Sequence, residues 1–413
     1  MLSCRSIPVN ALSEDALAIW KRFQMQTPAF ASPLLSPEFA SLVSTVRQDA
    51  RIILIEQDNS LVGILAGHLR PGGTVRPIGA PFADFNALLS APGVHFDARA
   101  TLRRAGISEY VFGGLIDPYG LFGPNHPFVQ AQTDLGTPAL SPPEGAQIAY
   151  SLVLDQGQSP EAFIAALRSL SPKKFKNMMR LENKLDREVG TLSLRVETPD
   201  ANGHAALETL LNWKSRQAVQ TGIHDFVSAH WIRALFRTAL NETQSPLKGL
   251  MLSLYAGDRL VAGHFGVRMG AHFHPWVAAF DPDMAAYSPG TSFLFAAIRA
   301  MPGLGLTHYD LAAGHDAYKA PFCNQQTAVY AGRVFGTQDM GRLRQGALMG
   351  LESLGRLGGP LWLERAQRLT RRLDQIAMIE LETKGRLAGL RHAFSHARTR
   401  LTTADAGGVD GAG

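Results

Sequence analysis

Tyr287-Ser288-Pro289-Gly290-Thr291-Ser292 is the stretch from which the fold is read. It follows an apolar strand pattern, His272–Phe280, and precedes an apolar helix pattern, Phe293–Ala300. Upstream lies a hairpin pattern over Leu250–Arg268. Downstream a strand ends at Asp310, and Gly314-His315-Asp316-Ala317-Tyr318-Lys319 follows. A glycine between a strand and a helix lets another group approach the backbone closely. The first N–H groups of the helix lack intrahelical acceptors, and the helix dipole favours negative charge there, so the turn can hold phosphate. Thr291 and Ser292 add short hydroxyl donors. A proline–glycine turn that only caps an ordinary helix is the competing reading.

The chain has 413 residues, enough for two domains and an appendage. Hydrophobic residues make up 46% and charged residues 18%, which permits a packed core and excludes global disorder. The formal net charge of +5 is too small to indicate DNA and favours acidic ligands at most. The two cysteines, Cys4 and Cys323, suit a reducing compartment, with Cys323 read as a small buried thiol. Neither has a metal-ligand partner at useful spacing, so no metal is expected. Met1–Asn10 lacks the apolar core of a signal peptide, and no run of about 18 apolar residues predicts a spanning helix. A cytoplasmic protein is expected, with peripheral membrane contact left open.

Two segments look alike. Ile53–Gly63 turns at Asp58-Asn59, and Leu252–Ala262 turns at Gly257-Asp258. Leu61-Val62 superposes on Leu260-Val261, and Gly67 on Gly266. Each hairpin follows a helical region, so a tandem duplication of one α/β unit is expected. The first unit covers 1–137 and lacks a glycine loop; Pro77-Ile78-Gly79-Ala80-Pro81 is a poor substitute. A proline-rich linker at 138–147 leads to the second unit at 148–336. Helical spacing of Leu363, Ala366, Leu369, Leu373, Ile376 and Ile379 predicts a helical extension over 337–400, followed by a disordered tail at 401–413.

The order of hairpin, strand, glycine loop, helix and strand resembles the acyl-CoA-binding half of the GNAT acetyltransferase superfamily. The loop of that superfamily reads Gln/Arg-x-x-Gly-x-Gly/Ala; here Tyr287 and Ser292 stand at its first and last positions. Ser288-Pro289-Gly290, Tyr309-Asp310-Leu311, Gly314, Tyr318-Lys319 and, upstream, Trp213-Lys214 together resemble the GNAT-type family associated with bacterial cellulose and exopolysaccharide biosynthesis. The likeness covers about 149–334. Fem-type aminoacyl transferases are also similar, with two GNAT-like units and a Phe-Lys pair where this chain has Tyr318-Lys319.

The resemblance implies an α/β fold of two tandem GNAT-like mixed sheets flanked by helices. It implies acetyl-CoA or another acyl-CoA as donor, bound by Phe280, Tyr287, Ser288, Pro289, Gly290, Thr291 and Ser292. The implied acceptor is a small molecule or saccharide, with peripheral contact to a membrane polysaccharide-synthesis complex. Asp310 is then the base or an orienting group, Lys319 an electrostatic stabiliser, and Tyr318 a proton donor to the departing thiolate. Asp310 is expected to pair with His315 or Tyr318 across the Gly314 turn. His264 and His274 are secondary candidates for a base, with a structural role the simpler reading; His272 and His274 share a strand face. The basic helix Pro172–Val189 contacts an anion or is a solvated face. Two alternatives stay open: a Fem-like transferase using aminoacyl-tRNA, and a non-catalytic scaffold, which the altered loop ends favour.

Overall fold

Hairpin chemistry sets the frame. A computed structural model describes residues 2–132, 141–221, 224–314, 316–336, 342–343, 346, 349–350, 353 and 374–381. The first unit opens with β1 (Leu2–Pro8), then helices α1 (Glu14–Gln26) and α2 (Pro37–Ser44), capped by Ser13 and Ser36. Next come β2 (Ala50–Gln57) and β3 (Ser60–Arg70), joined by Asp58-Asn59, both at positive φ as a tight hairpin turn requires. The unit continues with β4 (Thr74–Pro77), β5 (Leu89–Ser90), α3 (Ala98–Arg104), β6 (Glu109–Leu115) and β7 (Gln130–Gln132).

The rest of the chain supplies β8 (Ala146–Val153), α4 (Pro160–Leu170), α5 (Pro172–Glu188), β9 (Leu192–Glu197), α6 (Ala201–Thr221) and α7 (His230–Asn241). Then follow β10 (Leu247–Ala256), β11 (Arg259–Met269), β12 (His272–Phe280), α8 (Pro289–Ala300), β13 (His308–Ala313), α9 (Asp316–Lys319) and β14 (Gln325–Phe335). The strand expected to end at Asp310 continues to Ala313, because a bulge between Asp310 and Ala312 lets it keep pairing with β8.

The internal repeat is visible at single-residue level. Both hairpins carry a register shift two pairs before their turn, at Ile55/Glu56 and at Leu254/Tyr255, so Leu61 and Leu260 occupy the same position. Gly67 faces Pro77 and Gly266 faces Pro275. A Cβ on Gly67 would lie 2.7 Å from the Arg76 carbonyl oxygen, and one on Gly266 only 2.0 Å from that of His274. Both glycines are therefore required for the next strand to dock.

The two expected sheets join edge to edge into one mixed sheet with the order β1-β2-β3-β4-β6-β14-β8-β13-β12-β11-β10-β9. The join is made by the first and last strands of the second unit. β14, at its end, pairs with β6 of the first unit; β8, at its start, pairs with β13. β14 and β8 pair with each other at the centre. The core crosses the same boundary: Phe39 and Phe82 from the first unit pack on Trp276 from the second, and Phe82 also meets Phe226 and Phe236.

Residues 138–140 of the expected linker, most of the expected helical extension and all of the expected tail lie outside the described residues. The described piece 374–381 packs on the body. Ile376 and Ile379 are buried, Arg76 donates to Asp374, and the Trp231 indole donates to the Ile379 carbonyl. Among the described residues no helix is long and apolar enough to cross a membrane.

Candidate active site

Two places in the sheet hold parallel neighbours. β12 and β13 pair only through His272↔His308 and Phe273↔Tyr309, then part while both strands continue. In the first unit β4 and β6 pair through Thr74↔Glu109 and Val75↔Tyr110. That second gap is closed by its own chain. Asn86 bridges to Leu115, its N–H donates to the Gly114 carbonyl, and its side chain accepts from Tyr110. Gly114, at φ 144°, lies so close to this segment that a Cβ would come within 2.2 Å of the Asp84 carbonyl oxygen. The first unit thus has no room between its strands, and the opening in the second unit is the candidate site.

At the vertex of that opening sits a buried polar cluster. Asp310 accepts from Ser151 at 2.7 Å and meets His272 Nε2 at 2.7 Å and His274 Nδ1 at 3.1 Å. The other nitrogen of His274 faces Asp84, 3.1 Å away across the boundary between the units. With a carboxylate on each nitrogen, both must donate, so His274 is an imidazolium. Burial opposes its charge, but Asp310 and Asp84 more than offset this and raise its pKa to about 9. Burial likewise opposes ionisation of Asp310, yet His272 and His274 hold it well below the usual carboxylate range. His272 is the partly exposed member and stacks on His308, with ring centroids 5.2 Å apart.

Of the expected pairings of Asp310, with His315 or with Tyr318, the second is not formed. His315 lies outside the described residues, and Tyr318 turns the other way to donate to the Gly290 carbonyl at 2.9 Å. Strand alternation is the reason: Tyr309 and Asp310 project to opposite faces, and the histidines of β12 lie on the Asp310 face. His264 is a structural residue. It is buried, bonded to the Tyr309 hydroxyl at 2.8 Å and packed on Phe293. Burial first, then Lys319 and Lys214, depress its pKa to about 3, so it stays neutral.

The glycine loop lies at the open end of the gap. Phe280 is exposed at the end of β12, and Asp281 fixes the following turn by accepting from the Asp283 N–H and pairing with Arg259. Tyr287 donates to Glu188. Ser288 adopts a left-handed conformation, φ 52°, and its side chain does not cap α8. Pro289 occupies the first helical position and has no N–H to satisfy. Thr291 donates its N–H to the Ser288 carbonyl, and Thr291 and Ser292 are buried. The Ser292 hydroxyl has no hydrogen-bond partner among the described residues. Lys319 donates to the carbonyls of Ala312 and Ala313, at the parted end of β13. Asp310 therefore lies at the vertex, while Tyr318, Lys319 and the 287–292 loop gather at the open end.

Sequence reading missed Asp84 and Ser151 and did not connect the histidines with Asp310. The one available signal was the alternation His272-x-His274. Asp84 follows an irregular, proline-rich segment, where no periodicity predicts which way a side chain points.

Residues 172–320 match the family model described as an acetyltransferase (GNAT) domain. None of the curated proteins matches the chain. Several solved structures are similar. A conserved protein of unknown function from Bacteroides thetaiotaomicron VPI-5482 is 14% identical, with 76% of this chain and 97% of that chain covered and a TM-score of 0.42. A tandem GNAT protein from the clavulanic acid biosynthesis pathway is 11% identical, with 82% and 100% covered and a TM-score of 0.44. FemX is 8% identical, with 76% and 96% covered and a TM-score of 0.45.

Proposed function

We propose that the acetyltransferase (GNAT) domain at 172–320 transfers an acyl group from acyl-CoA to an amine or hydroxyl, and that the first unit shapes the acceptor side. The observation that carries this is one opening between β12 and β13 with a phosphate-competent loop at its wide end and an ion cluster at its vertex. The loop residues fit such a donor: the buried Ser292 hydroxyl lacks a protein partner among the described residues, and the start of α8 has no side-chain cap. When bound, the donor supplies an acyl group already activated as a thioester. The Gly290 N–H at the start of α8 and the hydroxyls of Thr291 and Ser292 would hold its diphosphate. The edge of β12 freed from pairing offers backbone N–H groups to the acyl carbonyl.

Acceptor attack forms a C–N or C–O bond, breaks the C–S bond and releases one proton. Asp310 is enclosed by three partners, so in this reading it orients His272 rather than touching the acceptor. His272, partly exposed, takes the proton. Tyr318 and Lys319 lie beside the loop. Burial raises the Tyr318 pKa, which keeps its hydroxyl protonated, so it donates a hydrogen bond to the departing thiolate while the proton taken by His272 balances the thiol released. The resemblance to the exopolysaccharide-associated family supports a saccharide-linked acceptor and an association with a membrane synthesis complex.

The test is a thermal shift with acetyl-CoA, followed by thiol release with a panel of amino sugars, simple amines and sugar alcohols. Acetyl-CoA at about 100 times its dissociation constant stabilises the protein by about 2.7 kcal/mol. Stabilisation with thiol release that needs an acceptor supports the reading. No response to acetyl-CoA and a response to aminoacyl-tRNA replaces it with the Fem-like alternative; no response to either leaves the scaffold.

A further inference from the structure

On the outer face of α8, helices α4 and α5 form a groove of about 420 Å³ that the proposed chemistry does not use. Its lining carries five cations, Arg168, Lys176, Arg180, Lys184 and Arg187, beside Met179. Lys176, Arg180 and Lys184 follow one another at four-residue intervals on α5, so like charges face each other along one stripe. That arrangement destabilises the helix.

The acids of α5 do not neutralise the stripe. Glu182 is held by Arg299 of α8, and Asp186 accepts from the Leu192 N–H. Glu188 alone meets the stripe, at its end, touching Lys184 and Arg187. Among the described residues, Arg168 and Lys176 have no carboxylate within ion-pair distance. A concave, strongly positive groove of this size fits a few phosphate oxygens on a small molecule; a membrane needs a broad face and a nucleic acid a long track.

The groove is also joined to the glycine loop. Lys184 lies over the Tyr287 ring, 5.0 Å from its centroid, and the Tyr287 hydroxyl donates to Glu188. The next residues are Ser288-Pro289-Gly290, where α8 begins. One aromatic ring therefore separates the cations of α5 from the loop that would hold a diphosphate.

The geometry points to a second phosphate site: the α4–α5 groove takes a phosphomonoester on the nucleoside of the ligand whose diphosphate rests at α8. This rests on the acyl-CoA reading, since coenzyme A carries a 3′-phosphate that dephospho-CoA lacks. Lys176 and Arg180 lie away from Tyr287, so replacing them leaves the loop intact.

The experiment is calorimetric titration of the full chain and of a Lys176→Gln/Arg180→Gln variant with CoA, dephospho-CoA and adenosine 3′,5′-bisphosphate. The wild type is expected to bind CoA about tenfold more tightly than dephospho-CoA, as loss of a charge-assisted contact implies. The variant is expected to lose that preference while binding dephospho-CoA as before, which also shows that it is folded. Equal wild-type affinity for the two, or a preference that survives in the variant, overturns the site. If neither CoA compound binds the wild type, the acyl-CoA reading falls. The groove then stands only if the bisphosphate binds and the variant loses it, and falls if the bisphosphate does not bind. Tighter wild-type binding to tRNA or to phosphatidylserine vesicles than to the bisphosphate, lost in the same variant, assigns the groove to a macromolecule and overturns the proposal.

Discussion

Asp310 shows how much one residue can depend on its neighbours. Buried at 2% exposure, it is stable as an anion only because Ser151, His272 and His274 surround it. Asp310→Asn keeps the shape and removes the charge. Breaking a buried charge network of this kind costs about 3 kcal/mol or more. If His272 is the base that Asp310 orients, acceptor-dependent thiol release also falls about 100-fold. Unchanged release by a folded variant would remove the cluster from the reaction. His274 gives a pH prediction. Its pKa rises on folding from 6.5 to about 9, so its stabilisation is complete below pH 6.5 and is lost as pH climbs through 9. The corresponding free energy is about 3 kcal/mol. Asp310 is shifted downward, so its contribution is present above pH 3.8 and is lost as pH falls. A melting temperature that drops between pH 6.5 and 9 is expected. Asp84→Asn, which removes one of the two carboxylates, should move that drop to lower pH. Superimposable curves for the two proteins would show that the contact with Asp84 carries no energy.

Among the elements, the glycines separate required positions from permissive ones. A side chain on Gly266 would collide with the backbone of β12, so Gly266→Ala is expected to destabilise by about 3 kcal/mol, in the manner of overpacking. Gly113 is an exposed position of β6 where an added Cβ would meet nothing within 4 Å, and Gly113→Ala should change stability by under about 0.5 kcal/mol. Chemical denaturation of the pair tests both; equal losses would contradict the strand register. At Gly290 a Cβ would come 3.2 Å from the Tyr318 hydroxyl. Gly290→Val should weaken acetyl-CoA binding at least about tenfold by intruding on the loop, with a smaller effect on melting. Binding that persists would move the donor elsewhere. The patterns Ile53–Gly63 and Leu250–Lys319 made most of these elements legible: both hairpins, the apolar strand and α8 come from periodicity and turn residues close in sequence. β1 and β14 were not read, because Leu2–Pro8 and Gln325–Phe335 alternate weakly and owe their state to distant partners, β2 for one and β6 with β8 for the other.

For the molecule as a whole, the continuous sheet and the shared core predict cooperative behaviour. β6 finds its neighbour in a strand made some 200 residues later in the chain, and Phe82 finds its packing on Trp276. One calorimetric unfolding transition is therefore expected, with the van't Hoff enthalpy equal to the calorimetric one. Two separated transitions would show that the units are energetically independent. A fragment ending before β8 should fail to fold, since β6 would present an unpaired edge where β14 belongs.

By itself the sequence determined the local alphabet: the repeated hairpins, the Pro-Gly turn before an apolar helix, and the mixed α/β class. Those features depend on residues a few positions apart, whose steric and hydrogen-bonding preferences act before any tertiary contact forms. Only the tertiary structure decided that Asp310 faces His272 and His274 rather than Tyr318, that Asp84 completes the cluster from the other unit, and that the first unit closes its own gap. Each depends on which side of a bulged strand a residue emerges and on what lies across a boundary far away in sequence. Hydrophobic burial and charge pairing settle those questions only once the sheet is assembled.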